Sequence, residues 1–167
     1  MPAQLKYVDP NRPRGLFWRA SASFSATRLG RLLSRKVVWK VDPYLLHASR
    51  GRFGMGGVLP TALLETTGAK SGAERRNAVI YFHDKDLVTI IASKAGASEH
   101  PAWFHNLCAH PDVSFGGVPM RAAVVSDEAE RQRIWKLADR VFAPYAVYRR
   151  EAAAASRTIP IVQLSAR

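Results

Sequence analysis

LLETTGAKSGAERRNAVIYF, residues Leu63–Phe82, places two apolar stretches around a centre rich in Gly, Lys and Arg. The fold turns on how that centre is read. Lys70-Ser71 after a Gly-containing run invites comparison with a nucleotide P-loop, which needs G-x-x-x-x-G-K-[ST] opening a helix. Ala69 stands where the second Gly should be, and no Gly lies five residues before it. The following Arg76–His83, RNAVIYFH, has β-branched and aromatic character and reads as a strand. With Ala62–Thr67 as the preceding strand, Gly68–Gly72 becomes a hairpin turn. Two uses of that turn stay open from the residues alone. It is a turn bearing solvated cations, or its amides with Lys70, Ser71, Arg75 and Arg76 hold a phosphate-bearing ligand.

Outward from the hairpin the pattern stays β-rich. Asp84-Lys85-Asp86 is a tight turn before a third strand, Leu87–Ser93. Val113–Phe115 and Met120–Val125 flank the Gly116-Gly117 turn, and Thr158–Leu164 closes the series. Pro160 within that last strand predicts an edge position or a bulge. Helices are expected over Pro101–Ala109 with Pro at N1 and Ser98 or Glu99 near the cap. Asp127 with Glu130 starts a helix to about Phe142, and Tyr145–Ala155 forms another. Hairpin-connected strands with helices between and before them predict an α+β chain, mainly antiparallel, built as a sheet or small barrel with appended helices.

The first 60 residues differ in character. They hold 11 Lys/Arg against 2 Asp/Glu, most of the chain's net charge of +12. Such an excess suits an anionic partner. Met1–Gly15 reads as an extended or disordered arm. Trp18–Arg50 reads as a basic amphipathic helix broken by Pro43, with Tyr44–Arg50 a second short helix and Gly51–Gly57 a flexible connection. The domain division is therefore an arm at 1–15, a basic helical segment at 16–58, and a β domain at 59–167. The basic helix either packs on its own domain or lies on a membrane surface with Trp18 and Trp39 as anchors. No RNA-binding, zinc-finger or helix-turn-helix signature appears, so nucleic acid is not the expected partner. Cys108 is the single cysteine, which excludes an intrachain disulfide and suits a reducing cytoplasm. No secretory leader is read in the first 15 residues, and no apolar run reaches 18 residues.

His100, His105 and His110 are spaced by five, so a helix would set them about 140° apart. That spacing lacks the shared face of a zinc site, and no metal site is expected. They are read as surface or hydrogen-bonded histidines, and Cys108 as a small apolar helix residue. Tyr145 and Tyr148, with Phe142, share a helical face. They either pack on the sheet or offer a hydroxyl to a pocket. Ser93-Lys94, in a Gly loop between strand and helix, is either a solvated loop or a polar contact to a ligand.

The ordered segments VDPYLLHASRGR, LLETTGAKSGAERRNAVIYF, IIASKAGASEHPAWFHNLCAHPDV and RTIPIV together resemble the deazaflavin-dependent nitroreductases and quinone reductases of actinobacteria. The resemblance covers about Asp42–Ile161. It implies a split β-barrel related to flavin-binding barrels, and coenzyme F-420, an 8-hydroxy-5-deazaflavin with an anionic tail. It places Lys70, Ser71, Arg75 and Arg76 at the phosphate and tail, with Ala69 where a second basic residue is common. Asn77, Ala78, Val79, Ser93 and Lys94 match segments that border ring and tail. Ala102, Trp103, Phe104 and Asn106 match the segment over the ring. The implied reaction is hydride transfer to a quinone such as menaquinone, a nitroaromatic or an enone. Tyr145, Tyr148 and Ser93 are the implied catalytic contacts, with Tyr145 donating to the substrate oxygen. Phe142 lacks the hydroxyl that nitro-reducing members can carry. A membrane-borne quinone would also explain the basic helix, through peripheral contact with the cytoplasmic face of an anionic membrane. Barrels of this shape often form homodimers. A non-catalytic carrier of the coenzyme, or a basic membrane- or nucleic-acid-binding module, is the alternative.

Overall fold

The computed structural model describes residues 5–13, 15–33 and 59–167. The six strands form one closed antiparallel barrel in the order β1-β2-β3-β6-β5-β4. They are β1 (Thr61–Thr67), β2 (Glu74–Asp84), β3 (Leu87–Ile91), β4 (Asp112–Phe115), β5 (Val118–Val124) and β6 (Ile161–Ala166). Closure pairs every strand on both sides and leaves no open edge. Thus β6 lies between β3 and β5 and is not an edge strand. Pro160 stands just before β6, where it accepts from Ala92 N and its missing N–H costs no ladder bond. The expected start at Thr158 is corrected to Ile161 for that reason. Gly116 and Gly117, at φ 59° and 81°, make the two-residue turn between β4 and β5 that needs positive φ at both positions.

Strand alternation sorts the core into two layers. Leu64, Tyr81, Ile90, Phe115, Val162 and Leu164 share the barrel interior, where the Tyr81 and Phe115 rings meet edge-on at 5.4 Å. Phe82, Thr89, Ile91 and Ile161 face the other way and are equally buried. The helix α4 (Glu128–Val141) packs over this outer layer with Ile134, Ala138 and Val141. Its Arg133 forks onto the buried Asp84 of β2, which also accepts from Gln163 of β6. Asp127 caps α4 by accepting from Glu130 N at 2.8 Å. Glu130 does not reach back as in a full capping box; its carboxylate binds Arg133.

The remaining helices are α1 (Leu16–Ala26), α2 (Arg28–Leu33), α3 (Ala102–Ala109) and α5 (Tyr145–Ala154). The continuous helix expected from Trp18 is broken at Thr27, which adopts extended ψ of 158°. Its hydroxyl donates to Phe24 O and accepts from Gly30 N, ending one helix and capping the next. Trp39, the Tyr44–Arg50 helix and the Gly51–Gly57 connection lie outside the described residues. Residues 5–13 dock on the barrel. Val8 exchanges backbone bonds with His83, and Tyr81 Oη donates to Lys6 O at 2.8 Å.

Candidate functional site

The β1–β2 hairpin ends in the turn that the sequence singled out. Gly68 N donates to Ala73 O and Gly72 N to Gly68 O, both at 2.8 Å. Gly72 has φ 67°, and a Cβ on Gly68 would stand 2.8 Å from Ser71 Oγ, so both positions need glycine. The register pairs Thr66 with Arg75, Glu65 with Arg76 and Leu64 with Asn77. Opposed residues share a face, so the two arginines part. Arg75 and Asn77 lie on the side of Leu64 and Thr66. Arg76 lies on the other, where it binds Glu65 at 3.3 Å and Glu74 at 2.6 Å. Among the described residues no carboxylate pairs with Lys70 or Arg75.

The short helix α3 braces this turn. Asn106 Nδ2 donates to Thr66 Oγ1 at 3.1 Å, and its Oδ1 accepts from Ala69 N at 3.0 Å. Both side chains are buried. Pro101 sits at the N-cap of α3, one position earlier than expected, and no side chain caps the helix. Trp103 is buried and Phe104 half-buried, with rings 6.5 Å apart. Ala102 is exposed. Cys108 is also exposed and does not pack as a small apolar residue.

The third part is the loop after β3. Lys94, Ala95 and Gly96 have φ of 48°, 48° and 73° in succession. Two non-glycine residues in the left-handed region cost about 1–2 kcal/mol each, so surrounding contacts must hold them there. Gly96 presses against α5: a Cβ there would meet Tyr148 Cα at 3.1 Å and Glu151 Oε2 at 3.0 Å. Lys94 Nζ binds Glu99 Oε2 at 3.3 Å. Arg157, missed in the sequence reading, anchors the loop from beneath. Its only sequence signal was a cation at the head of an apolar strand segment.

Tyr145 and Tyr148 of α5 are both buried. Their rings form a cluster with Phe142 and Trp135, at centroid distances from 5.0 to 6.3 Å. Burial, then the neighbouring Tyr148 and Asp139, raise the Tyr145 hydroxyl far above its usual range. It stays protonated throughout the physiological range. His100 is hydrogen-bonded, and no group of three or more His, Cys, Asp or Glu among the described residues could hold a metal ion.

The family model described as F420H(2)-dependent quinone reductase matches residues 44–165. An F420H(2)-dependent quinone reductase of Mycobacterium tuberculosis (strain ATCC 25618 / H37Rv) is 32% identical over 149 residues, covering 83% of this chain and 99% of the relative. The chain belongs to the F420H(2)-dependent quinone reductase family. A solved F420-H2 dependent reductase is 34% identical, covers 64% of this chain and 94% of its own, and superposes with a TM-score of 0.55. A second solved structure, described as a domain-swapped dimer, is 31% identical, covers 75% and 97%, and has a TM-score of 0.56.

As a member of this family the protein is an oxidoreductase dependent on coenzyme F-420. The described residues fit such a group. An anionic tail needs cations that are not already neutralised, and Lys70 and Arg75 meet that condition where Arg76 does not. A ring needs a flat apolar wall, which Trp103 and Phe104 supply beside the turn. Hairpin turn, α3 and the Ser93–Ala97 loop form one connected structure, through Asn106 at one end of α3 and Lys94 bonding His100 O at the other.

Proposed function

We propose that this protein reduces a quinone with hydride from reduced coenzyme F-420, bound across the β1–β2 turn, α3 and the Ser93–Ala97 loop. The observation that carries the site is the split of the arginine pair. Arg76 is spent on Glu65 and Glu74, while Lys70 and Arg75 have no carboxylate partner among the described residues. Two unpaired cations on a turn fixed by Asn106 suit a phosphate and a carboxylate tail. Lys70, Ser71, Arg75, Asn77, Ala78 and Val79 would line the tail and ring edge. Ser93 and Lys94 would border the ring from the loop, with Ala102, Trp103, Phe104 and Asn106 over it. Arg76 would act only by holding the two acids away from that anion.

The chemistry supplied by the reduced coenzyme, when bound, is donation of a hydride, so the protein's task is to orient the acceptor and supply a proton. Tyr145 keeps its proton and serves as a hydrogen-bond donor to a substrate oxygen, which gains negative charge as the hydride arrives. Tyr148 positions that hydroxyl through the aromatic cluster, and Ser93 offers a second polar contact. The buried aromatic environment excludes water from the transfer.

The N-terminal helices fit a quinone that resides in a membrane. Trp18 Nε1 donates to Val141 O at 2.8 Å, so α1 is seated on α4. Leu16, Phe24, Leu29 and Leu32 nevertheless remain exposed, Leu16 to 83%. Apolar side chains beside a strongly basic segment suit peripheral docking on an anionic surface. Among the described residues no helix is long and apolar enough to cross a membrane. The reading is tested by steady-state assay of the purified chain with reduced coenzyme and menadione. Turnover supports it; binding of coenzyme without turnover of any quinone makes the protein a carrier.

A further inference from the structure

Arg157 precedes β6 and is 7% exposed. Its guanidinium donates to Ala92 O, to Ser93 O at 3.1 Å, to Ala97 O at 2.6 Å and to His100 Nδ1 at 2.9 Å. Three of these acceptors are carbonyls at the two ends of the Ser93–Ala97 loop, and the fourth sits just before α3. Among the described residues no carboxylate pairs with it. A buried guanidinium without a counter-ion is costly and is retained where it fixes geometry or meets an anion. Here four of its five N–H groups are spent on neutral acceptors in one plane, a pattern that lysine, with three donors and no fork, cannot reproduce. The loop it ties is the one whose Lys94 and Ala95 are held left-handed.

We propose that Arg157, with a neutral His100 as its fourth acceptor, is the positioning residue that fixes the Ser93–Ala97 loop in its coenzyme-binding geometry. The proposal rests on the reading of Ser93 and Lys94 as coenzyme contacts given above. It has a consequence for pH. His100 Nδ1 accepts from Arg157, so the ring must be unprotonated at that nitrogen. Protonation would set two donors and two positive charges face to face. Around His100 stand Arg157, Lys94 and His105, with Phe104 against the ring and Glu99 bound to Lys94. The cations outnumber the acid. Burial first, then Arg157, His105 and Lys94, lower the His100 pKa from its ordinary value. The neutral form therefore prevails at and above neutrality, and the Arg157 bond is lost as pH falls below about 6.5.

The test uses the full chain. Coenzyme Kd is measured by titration for wild type, Arg157→Lys and His100→Gln between pH 5 and 8, with amide exchange of residues 92–97 followed in parallel. Arg157→Lys is expected to raise Kd at least tenfold and to speed exchange in the loop while β1–β5 amides keep their protection. Wild-type Kd is expected to rise toward pH 5. His100→Gln, which keeps a neutral acceptor, is expected to lose the part of that rise due to His100; coenzyme titration is common to both proteins and cancels in the comparison. An unchanged Kd in Arg157→Lys, or the same pH dependence in wild type and His100→Gln, overturns the proposal while leaving the coenzyme reading intact. Failure of the wild type to bind coenzyme at all overturns both.

Discussion

Replacing Asn106 by Leu tests whether the brace under the hairpin turn is what makes the site. The substitution preserves volume and removes two hydrogen bonds, to Thr66 Oγ1 at 3.1 Å and from Ala69 N at 3.0 Å. Each bond contributes about 1 kcal/mol net, and leaving the buried Thr66 hydroxyl without its donor costs about 1 kcal/mol more. Ala69 is exposed, so its freed N–H turns to water at little cost. The sum is about 2–3 kcal/mol, which for a chain of this size lowers Tm by roughly 5–10 °C. The measurement is urea unfolding for stability, together with a coenzyme titration at a temperature where the variant is folded. Asn106→Asp separates scaffolding from charge. A carboxylate still accepts from Ala69 N and from a rotated Thr66 hydroxyl, so the stability loss is smaller. It also puts a negative charge under the turn, and coenzyme affinity falls further than with Leu. If Asn106→Leu unfolds at the wild-type midpoint and binds coenzyme normally, the brace has no part in forming the site.

Lys70→Ala and Arg76→Ala should differ although the two cations are six residues apart on one hairpin. The first is expected to raise coenzyme Kd roughly tenfold, the loss of one charge-assisted contact; the second acts weakly, because Arg76 is already paired, and equal effects would count against the split-face assignment. Tyr145→Phe is expected to lower kcat roughly tenfold or more with little change in coenzyme Kd, as removal of a donor to developing charge should; an unchanged kcat makes the ring packing only. Burial lowers the His83 pKa, and its Nδ1 must be neutral to accept from Val8 N. The unfolded chain therefore binds more protons between the two pKa values, so arm docking weakens as pH falls below about 6.5. Exchange of the Val8 amide reports this, and His83→Gln should remove the step. Leu29→Asp/Leu32→Asp should reduce sedimentation with anionic lipid vesicles and leave coenzyme binding alone; unchanged sedimentation argues against membrane docking through α2.

Much of the barrel was legible because strands announce themselves locally. RNAVIYFH, LVTII and the Gly116-Gly117 turn carry period-two patterning and turn chemistry within a few residues of one another. Closure was less legible, since the β3–β6 and β1–β4 pairings join residues far apart in sequence. Pro160 shows the consequence. Locally it marks an edge, yet the strand begins one residue later and lies mid-barrel. The break at Thr27 was hidden because apolar spacing runs through it while a single hydroxyl caps across it. At the site, residue types identified the hairpin cations but not which would be free. That depended on register, which sends Arg76 to Glu65 and leaves Arg75 beside Thr66. Arg157 and His100 were invisible as a pair because 57 residues separate them. Docking of residues 5–13 carries no sequence pattern either: its bonds are to backbone and to two interior side chains, Tyr81 and His83.

The central claim is that this chain uses reduced coenzyme F-420 to reduce quinones. The most direct measurement mixes the purified full chain with reduced coenzyme and menadione and follows the visible absorption of the oxidised coenzyme. The account predicts that the band appears at a rate proportional to protein, saturates in both reactants, and slows in Lys70→Ala through coenzyme Kd. A band that appears no faster than without protein, although the coenzyme is bound, would contradict it.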